Sequence, residues 1–421
     1  MAANSYKLSF EIAKTHLLSK IKQTVVAALG VTFGIAMFIL MISFMTGVNK
    51  LLEESALTAT PHIHIFHDIA IERETIVDKL FRSVTSFNVT YHQKPKEEKK
   101  NLKNGFLIAE TIRKDPLVMG VSAQLSSQVF YNYGPIQLPG SLSGVNIADE
   151  DKLFNIRHKM KEGQLDDLLS SNNGIIIGSG LAKKMSLHKG DKITISTPQG
   201  LVTKLNVIGI FKMGIGTIDN IKSYTNISTV QKLLHKDTRY ITDINIKLYD
   251  VNNATQLAAL YERKFQYRAE DWATVNGPIL LSFTLRNAIT YVVVTTLLIV
   301  AGFGIYNIMN MTIYDKMKDI AILKATGFDG NDIIRIFMTQ AVLIGIVGGL
   351  AGLLLGFILS YGVSQIPFNG GDILDIDRFP VMFAVKYYVY GILFGIATTS
   401  LAGYFPSKRA AKIDPVEILR G

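Results

Sequence analysis

The chain has 421 residues, of which 48% are hydrophobic, a share that is high for a soluble protein with a single core. It contains no cysteine, which excludes disulfides, thiolate metal sites and cysteine nucleophiles. The net charge of +10 does not indicate nucleic-acid binding, because the cations cluster beside apolar runs instead of on one face of a soluble domain.

The first 46 residues predict one membrane span. Residues 1–23 form an amphipathic segment with several lysines, which we expect on the cytoplasmic side. Residues 24–46 are apolar and uncharged, and about 20 such residues suffice to cross the hydrocarbon core. A cleaved signal peptide is the alternative, but its apolar region usually has only about 7 to 15 residues and ends at a small-residue cleavage site. The run is therefore interpreted as a transmembrane helix.

Residues 47–286 predict a large extracytoplasmic domain of mixed α and β structure. Helical spacing continues through 47–54, so the first span is expected to extend into a stalk, and 261–286 is its predicted counterpart before the second span. Strands are predicted at 62–65, 174–177, 192–196, 202–211 and 241–248, with a helical turn at 181–185 and a tight hairpin at 197–200.

Several features of this domain are interpreted without a chemical role. We expect His62 and His64 on a solvated strand face, because no pattern of carboxylate or cysteine ligands accompanies them. The tripeptide 142–144 is interpreted as an ordinary turn. The charge-rich stretch 91–104 predicts a solvated loop within an insertion, 68–104, whose role the sequence leaves open.

Three more uncharged runs follow the domain. They lie at 287–314, 336–363 and 387–405. The last run is expected to end at Pro406. The remaining segments are a cytoplasmic connection at 315–335, an extracytoplasmic loop at 364–386 and a cytoplasmic tail at 406–421. The chain is therefore predicted to be a membrane α-helical protein with four transmembrane helices, one before the domain and three after it.

The orientation of the spans follows from the bias of lysine and arginine near their ends, because cytoplasmic flanks carry the excess. Basic residues are frequent in the N-terminal segment, in the 315–335 connection and in the tail. In the loop between the third and fourth spans, by contrast, Arg378 stands against three aspartates. Both termini are therefore predicted to be cytoplasmic, and the domain extracytoplasmic.

Small residues in the spans predict close helix packing, because lipid provides no hydrophobic force between helices. The glycines at such spacings are Gly30 and Gly34 in the first span, Gly345, Gly348, Gly349, Gly352 and Gly356 in the third, and Gly391 and Gly395 in the fourth. Asn307 and Asn310 put two amides on one face of the second span. We expect them to hydrogen-bond a neighbouring helix rather than a substrate.

The sequence has no motif of a nucleotide-binding or catalytic site. It contains no Gly-Lys dipeptide, and therefore no P-loop, and neither a GxSxG nor an HExxH pattern occurs. The chain is therefore interpreted as a non-catalytic protein that holds no metal ion.

The 315–335 connection contains a short helical pattern. Ile320 and Leu323 lie at helical spacing, Gly327 is suited to end the helix, and Asp329 or Asn331 is suited to begin the next. We expect nothing in the chain itself to cover the apolar face of this helix. It then either lies flat on the membrane surface or docks into the groove of a partner.

This connection resembles the coupling region of the MacB/FtsX-type ABC transporter permeases. The resemblance rests on 318–327 (KDIAILKATG) and on the tail at 404–419 (YFPSKRAAKIDPVEIL). It implies a MacB-like periplasmic core domain and a separate ATPase, which would use ATP and Mg while this chain binds no cofactor. The coupling residues that it implies are Lys318, Asp319, Ile320, Ala321, Ile322, Leu323, Lys324 and Gly327.

Within that superfamily, most of the chain resembles the lipoprotein-releasing permeases LolC and LolE, including 174–191, 205–211, Trp272 and 375–380. The resemblance implies a homo- or heterodimer of permeases in the inner membrane, bound to two LolD- or MacB-like ATPase subunits. That assembly would expel a lipoprotein from the outer leaflet by mechanotransmission. The alternatives are a MacB-like permease for peptides, drugs or cell-envelope signalling, and a membrane receptor or adhesion module without an ATPase.

The substrate cavity that the resemblance implies lies between the first and second spans. Met41, Phe44 and Met45 are candidates to contact an acyl chain there, because flexible apolar side chains adapt to such ligands. Packing against lipid is the open alternative. LolC-like proteins carry a long hairpin that recruits a periplasmic carrier, whereas 197–200 is a minimal turn, so direct carrier recruitment at that turn is not expected.

Overall fold

The computed structural model describes residues 2–68, 100–368, 376, 378–414, 416 and 418. The insertion expected at 68–104 thus lies largely outside the described residues. The described chain divides into two compact units. The first contains the described parts of 1–52, 279–369 and 376–421, and the second contains those of 53–278.

The described helices and strands alternate irregularly along the chain. The helices are α1 (Ala2–Ser19), α2 (Ile21–Ala59), α3 (Gly105–Arg113), α4 (Ile147–Phe154), α5 (Asp167–Ser170), α6 (Ser179–Met185), α7 (Gly216–Asp219), α8 (Ile227–Leu233), α9 (Ala254–Phe265), α10 (Trp272–Val275), α11 (Gly277–Asp315), α12 (Met317–Ala325), α13 (Gly330–Gln365) and α14 (Val385–Ala411). The strands are β1 (Ile63–Phe66), β2 (Val118–Tyr133), β3 (Ile136–Val145), β4 (Met160–Glu162), β5 (Gly174–Gly178), β6 (Lys192–Ser196), β7 (Val202–Phe211), β8 (Lys222–Asn226), β9 (Asp243–Leu248) and β10 (Arg268–Asp271).

Four helices of the described chain are long and apolar enough to cross a membrane, namely α2, α11, α13 and α14. Each contains one of the four predicted apolar runs, so the four predicted apolar helices are confirmed. Their buried side chains form one core with α1 and α12, which includes Ala13, Ile35, Met309 and Phe337.

Pro406 does not end the last of these helices, contrary to the sequence-based expectation, because α14 continues to Ala411. A proline inside a helix removes one backbone donor. The helix passes through the proline because only this one intrahelical hydrogen bond is lost, and it ends at Ala411.

The second unit is built on one sheet, which confirms the mixed α/β prediction. The described strands follow the order β10-β1-β9-β2-β3-β8-β5-β7-β4, and β6 pairs with β2 and β7. The pairs β3–β8 and β5–β7 are parallel, and the other pairs are antiparallel. The predicted strands coincide with β1, β5, β6, β7 and β9 to within two residues at each end. The predicted turn joins β6 to β7, and its Gly200 has a φ of +82°.

Two local predictions for this unit are wrong. Residues 142–144 belong to β3, where hydrogen bonds to β2 and β8 extend the backbone, and they do not form a turn. Residues 261–286 do not form one helix either. Gln266 adopts a left-handed φ of +58° that ends α9, and the chain then pairs with β1 as β10 before α11 begins. In both cases pairing with distant strands overrides the local pattern.

Candidate functional site

The segment that joins α11 to α13 contains two well-formed helix caps. Gly327 has a left-handed φ of +106°, and its N–H donates to the Lys324 carbonyl at 3.1 Å. The Phe328 N–H donates to the Leu323 carbonyl at 3.1 Å, which completes a Schellman ending for α12. Asp329 then forms a capping box with the third residue of α13. The helix end at Gly327 and the helix start at Asp329 are therefore confirmed.

The apolar face of α12 is covered by the chain itself. Ile320 and Ala321 are fully buried, and Leu323 is half-buried. Ile320 belongs to the same buried cluster as Ile333 and Phe337 of α13. The expectation of an uncovered apolar face is therefore wrong, because Ile320 lies in the buried core that α12 shares with α1, α2, α11, α13 and α14. Ile320 and Ala321 hold the helix in place and are not available to a partner.

The opposite face of α12 is exposed. Lys318 and Asp319 reach solvent, and Lys316 Nζ lies 2.9 Å from an Asp319 carboxylate oxygen. Ile322 is 52% exposed, and Tyr314 at the end of α11 is 73% exposed. This face combines an apolar side chain with charges of both signs, which suits contact with a second protein.

Lys324 points back into its own chain. Its Nζ donates to the Ala411 carbonyl at 3.0 Å and to the Ile413 carbonyl at 2.7 Å. Ala411 is the last residue of α14, where carbonyls lack helical donors and a cation is favoured by the helix dipole. Gly330 at the start of α13 lies beside Ala411. Lys324 therefore ties α12 to the end of α14.

The N-terminal helix also contributes to this region, which the sequence-based reasoning did not anticipate. Ser9, Ala13 and His16 recur at helical spacing on one buried face of α1, and the His16 ring centroid lies 6.1 Å from that of Phe337. Lys20, between α1 and α2, forms an ion pair with Asp315 at the end of α11. The helical spacing of Ser9, Ala13 and His16 is the feature of the sequence that could have predicted a buried face on α1.

Most of the predicted packing glycines face another helix. A Cβ added to the glycine would meet Ala301 at Gly34, Thr399 at Gly345, Val31 at Gly348, Ile35 at Gly349, Gly352, Gly391 and Gly395, and Ile39 at Gly356. The residue on α2 that recurs in these contacts is Ile35, which lies between α13 and α14. Gly30 differs, because a Cβ there would meet no described atom within 4 Å.

The two asparagines of α11 do not make the contact that the sequence predicts. Asn307 is exposed and Asn310 half-buried, and among the described residues no hydrogen bond joins either amide to another side chain or carbonyl. The predicted bond to a neighbouring helix is thus not found within the described chain. An amide pair instead joins α2 to α11 elsewhere. Asn49 Nδ2 donates to Asn287 Oδ1 at 2.9 Å, and Arg286 Nη1 donates to Asn49 Oδ1 at 2.6 Å.

The candidate cavity residues of α2 are all half-buried. The Phe44 ring packs edge-on against Phe379, with 5.8 Å between centroids. The adjacent Ser43 carbonyl accepts a hydrogen bond from the Met382 N–H at 3.0 Å. Phe44 therefore has an aromatic partner within the first unit. Contact of Met41, Phe44 and Met45 with an acyl chain remains a prediction.

An apolar groove of about 520 Å³ lies between α11 and α14. Its walls include Leu298, Phe303, Phe394 and Leu401. Gly302 opens the groove because it has no side chain, and Thr398 lies across from it. The sequence-based reasoning missed this groove, since its two walls are almost 100 residues apart in the chain.

Of the two histidines expected on a solvated strand face, His62 does not lie there, whereas His64 lies on the half-exposed face of β1. His62 is 9% exposed, and its Nδ1 accepts a hydrogen bond from the Leu248 N–H at 3.1 Å, so it does not belong to a solvated face. A carboxylate does accompany His64, because its Nε2 lies 2.8 Å from Asp243. In the part of the chain that the structure describes, no group of three or more His, Cys, Asp or Glu side chains could hold a metal ion.

Comparison with known proteins assigns the chain to a family. Residues 24–263 match the MacB-like periplasmic core domain, and residues 291–415 match the FtsX-like permease C-terminal domain. The lipoprotein-releasing system transmembrane protein LolC of Neisseria meningitidis is 26% identical over 420 residues, which cover 94% of each chain. LolE of Haemophilus influenzae is 23% identical over 93% of each chain. The macrolide export ATP-binding/permease protein MacB of Vibrio parahaemolyticus is 24% identical over 74% of this chain and 47% of its own length.

The first domain match alone covers more than half of the sequence. The four apolar helices and these relatives indicate a protein of the inner membrane. A permease subunit of this kind is not itself the catalytic component of its transporter. The chain belongs to the MacB/FtsX family of ABC transporter permeases.

Proposed function

We propose that the chain is the permease subunit of an ABC transporter of the lipoprotein-releasing type. In this proposal α2, α11, α13 and α14 cross the inner membrane in a one-plus-three arrangement. Both termini and α12 are cytoplasmic, and the domain of the second unit is extracytoplasmic. The basic flanks support this orientation, and the LolC and LolE relatives support the substrate class.

The exposed face of α12 carries the proposal. Lys318, Asp319 and Ile322 are presented by a helix whose other face is buried and whose C-terminal end is capped. A separate ATPase dimer docks on this face and binds the ATP and Mg. Because Ile320 packs in the core of the first unit and Lys324 bonds to the end of α14, a push on the exposed face moves the helices of this core instead of bending a loop.

The transported molecule is a lipoprotein that leaves the outer leaflet of the inner membrane. A second permease subunit, identical or related, completes the cavity, and Met41, Phe44 and Met45 contribute apolar contacts from α2. The lipoprotein does not cross the bilayer. ATP hydrolysis by the partner therefore drives only a mechanical displacement of the domain and the helices.

Reconstitution tests this function. The chain is incorporated into proteoliposomes with a separately expressed LolD- or MacB-like ATPase of the same organism and a fluorescent lipoprotein. Release is expected to require ATP and Mg and to fail when the P-loop lysine of the ATPase is replaced. Release without ATP, or an ATPase that does not copurify with the chain, contradicts the proposal.

A MacB-like permease for peptides, drugs or envelope signals is the second candidate. The observation that favours it is the short β6–β7 turn, closed by a hydrogen bond of 2.8 Å from the Thr197 N–H to the Leu201 carbonyl, because this turn has no room for a carrier-binding hairpin. The same proteoliposomes distinguish the candidates when they are loaded with a macrolide or a peptide instead of a lipoprotein.

A further inference from the structure

A buried lysine lies where the C-terminal end of α2 meets the sheet of the second unit. Lys247 is on β9 and is 8% exposed. Its partner on β2 is Gly120, and a Cβ at that glycine would lie 2.9 Å from the Leu153 side chain. The missing side chain of Gly120 thus lets the end of α4 approach Lys247.

The ammonium group of Lys247 caps two helices at once. It donates to the Thr58 carbonyl at 3.1 Å and to the Leu153 carbonyl at 2.6 Å. Thr58 is the penultimate residue of α2, and Leu153 is the penultimate residue of α4. Carbonyls in the last turn of a helix lack helical donors, and the helix dipole favours a cation beside them. The position therefore suits a lysine better than an apolar residue.

A second contact holds the start of α11 in the same unit. Asn276, directly before α11, donates through its Nδ2 to the Thr60 hydroxyl at 3.2 Å and to the Trp272 carbonyl at 3.0 Å. The Trp272 N–H in turn donates to the His62 carbonyl at 2.8 Å. The residues that follow α2 are thus bonded to the residues that precede α11.

Burial of the Lys247 charge costs free energy that packing by an apolar side chain would not, because burying an ammonium group disfavours the charged form. Burial lowers the pKa of Lys247 to about 8, so the amine still carries its proton at pH 7. The ionisable groups near Lys247 are His62 and Lys222. Lys247 Nζ and Lys222 Nζ lie 5.2 Å and 5.5 Å from the centroid of the Phe154 ring, and Lys222 Nζ lies 4.0 Å from a Glu150 carboxylate oxygen. Within the described chain, the Lys247 ammonium group donates to the carbonyls at the two helix ends and not to a carboxylate.

We propose that Lys247 and Asn276 are positioning residues that fasten α2 and α11 to the sheet, so that a displacement of either long helix moves the whole domain. This role rests on the proposed function as a mechanical transporter. The role makes two demands. The end of α2 must keep a fixed distance from the sheet in the isolated protein, and loss of these contacts must reduce transport while ATP hydrolysis continues.

The rigidity is measurable without a partner or a substrate. The chain has no cysteine, so spin labels on Glu53→Cys of α2 and Lys204→Cys of β7 report one distance within the second unit. We expect a narrow distance distribution in the otherwise unchanged chain and at least a twofold broader one in the Lys247→Met and Asn276→Leu variants. Lys152→Met, which removes an exposed lysine beside Leu153, is the matched control and is expected to leave the distribution unchanged.

Rescue separates positioning from general destabilisation. Lys247→Arg keeps a charged donor and is expected to restore a narrow distribution, whereas Lys247→Met keeps the apolar stem and does not. In the reconstituted transporter, Lys247→Met and Asn276→Leu are expected to retain ATP hydrolysis within about twofold and to lose at least tenfold in release. Distributions that stay narrow in both variants overturn the inference, whatever the transporter carries. A failure of lipoprotein release in the unchanged chain overturns the proposed function and leaves the distance result standing.

Discussion

Ile35 of α2 lies directly against Gly352 of α13. A Cβ added to Gly352 would be 2.9 Å from the Ile35 Cβ and 2.9 Å from the Thr32 carbonyl oxygen. The Thr32 hydroxyl also donates to the Gly348 carbonyl at 3.1 Å, so backbone and side chain meet along this contact. The two helices approach this closely only because glycine occupies the crossing.

Substitution of Gly352 by leucine is expected to lower stability by about 1–3 kcal/mol, because the added side chain overlaps Ile35 and the α2 backbone. The measurement is thermal unfolding of the purified chain in detergent. Gly362→Leu is the matched control in the same helix, since a Cβ at Gly362 meets nothing within 4 Å. Equal transitions for the two variants would show that the contact does not hold α2 to α13.

The two isoleucines of α12 are expected to behave differently when each is replaced by aspartate. Ile322→Asp changes an exposed side chain, so the transporter should lose copurification with its ATPase while the chain keeps its thermal transition. Ile320→Asp buries a carboxylate. In addition to losing copurification, this variant should therefore lose several kcal/mol of stability. If Ile322→Asp still copurifies with the ATPase at the wild-type ratio, docking on this face is disproved.

Loss of the Lys324 ammonium group is expected to release the end of α14. Lys324→Met removes two hydrogen bonds to backbone carbonyls and should cost about 1–3 kcal/mol. The tail residues Lys408, Arg409 and Lys412 are tryptic sites, and limited trypsinolysis of the variant should cleave there several-fold faster. Lys318→Met, which removes an exposed charge from the same helix, is the control. An unchanged cleavage rate in Lys324→Met would contradict the tie.

His62 is expected to make the second unit less stable in acid. Burial and the positive charge of Lys247 lower the pKa of His62 from 6.5 to about 4. Between these values the unfolded chain binds a proton that the folded chain does not, so the contribution is fully present above pH 6.5 and is lost as the pH falls toward 4. After allowance for solvent screening, the loss is roughly 1–2 kcal/mol.

Unfolding of the full chain in detergent between about pH 7 and pH 4 measures this contribution. His62→Asn keeps an acceptor for the Leu248 N–H but does not titrate, so its stability should depend less steeply on pH. Parallel curves for the two proteins would mean that His62 does not supply the effect.

The sequence by itself determined the features that depend on neighbouring residues. The four apolar runs, the ends of α12 and α13 at Gly327 and Asp329, and the β6–β7 turn follow from composition and backbone preferences within a few positions. Such features need no knowledge of the rest of the fold, because hydropathy, a left-handed glycine and a capping carboxylate act locally.

Only the tertiary structure decided which of these residues are accessible and what they hold. Ile320 and Ile322 are similar in sequence terms, yet the packing of the first unit buries one and leaves the other exposed. Lys324 and Lys247 resemble surface lysines in the sequence, and each finds its carbonyl acceptors more than 80 positions away. The reason is physical: burial and hydrogen bonding between distant segments depend on how the chain folds back on itself, which no local pattern encodes.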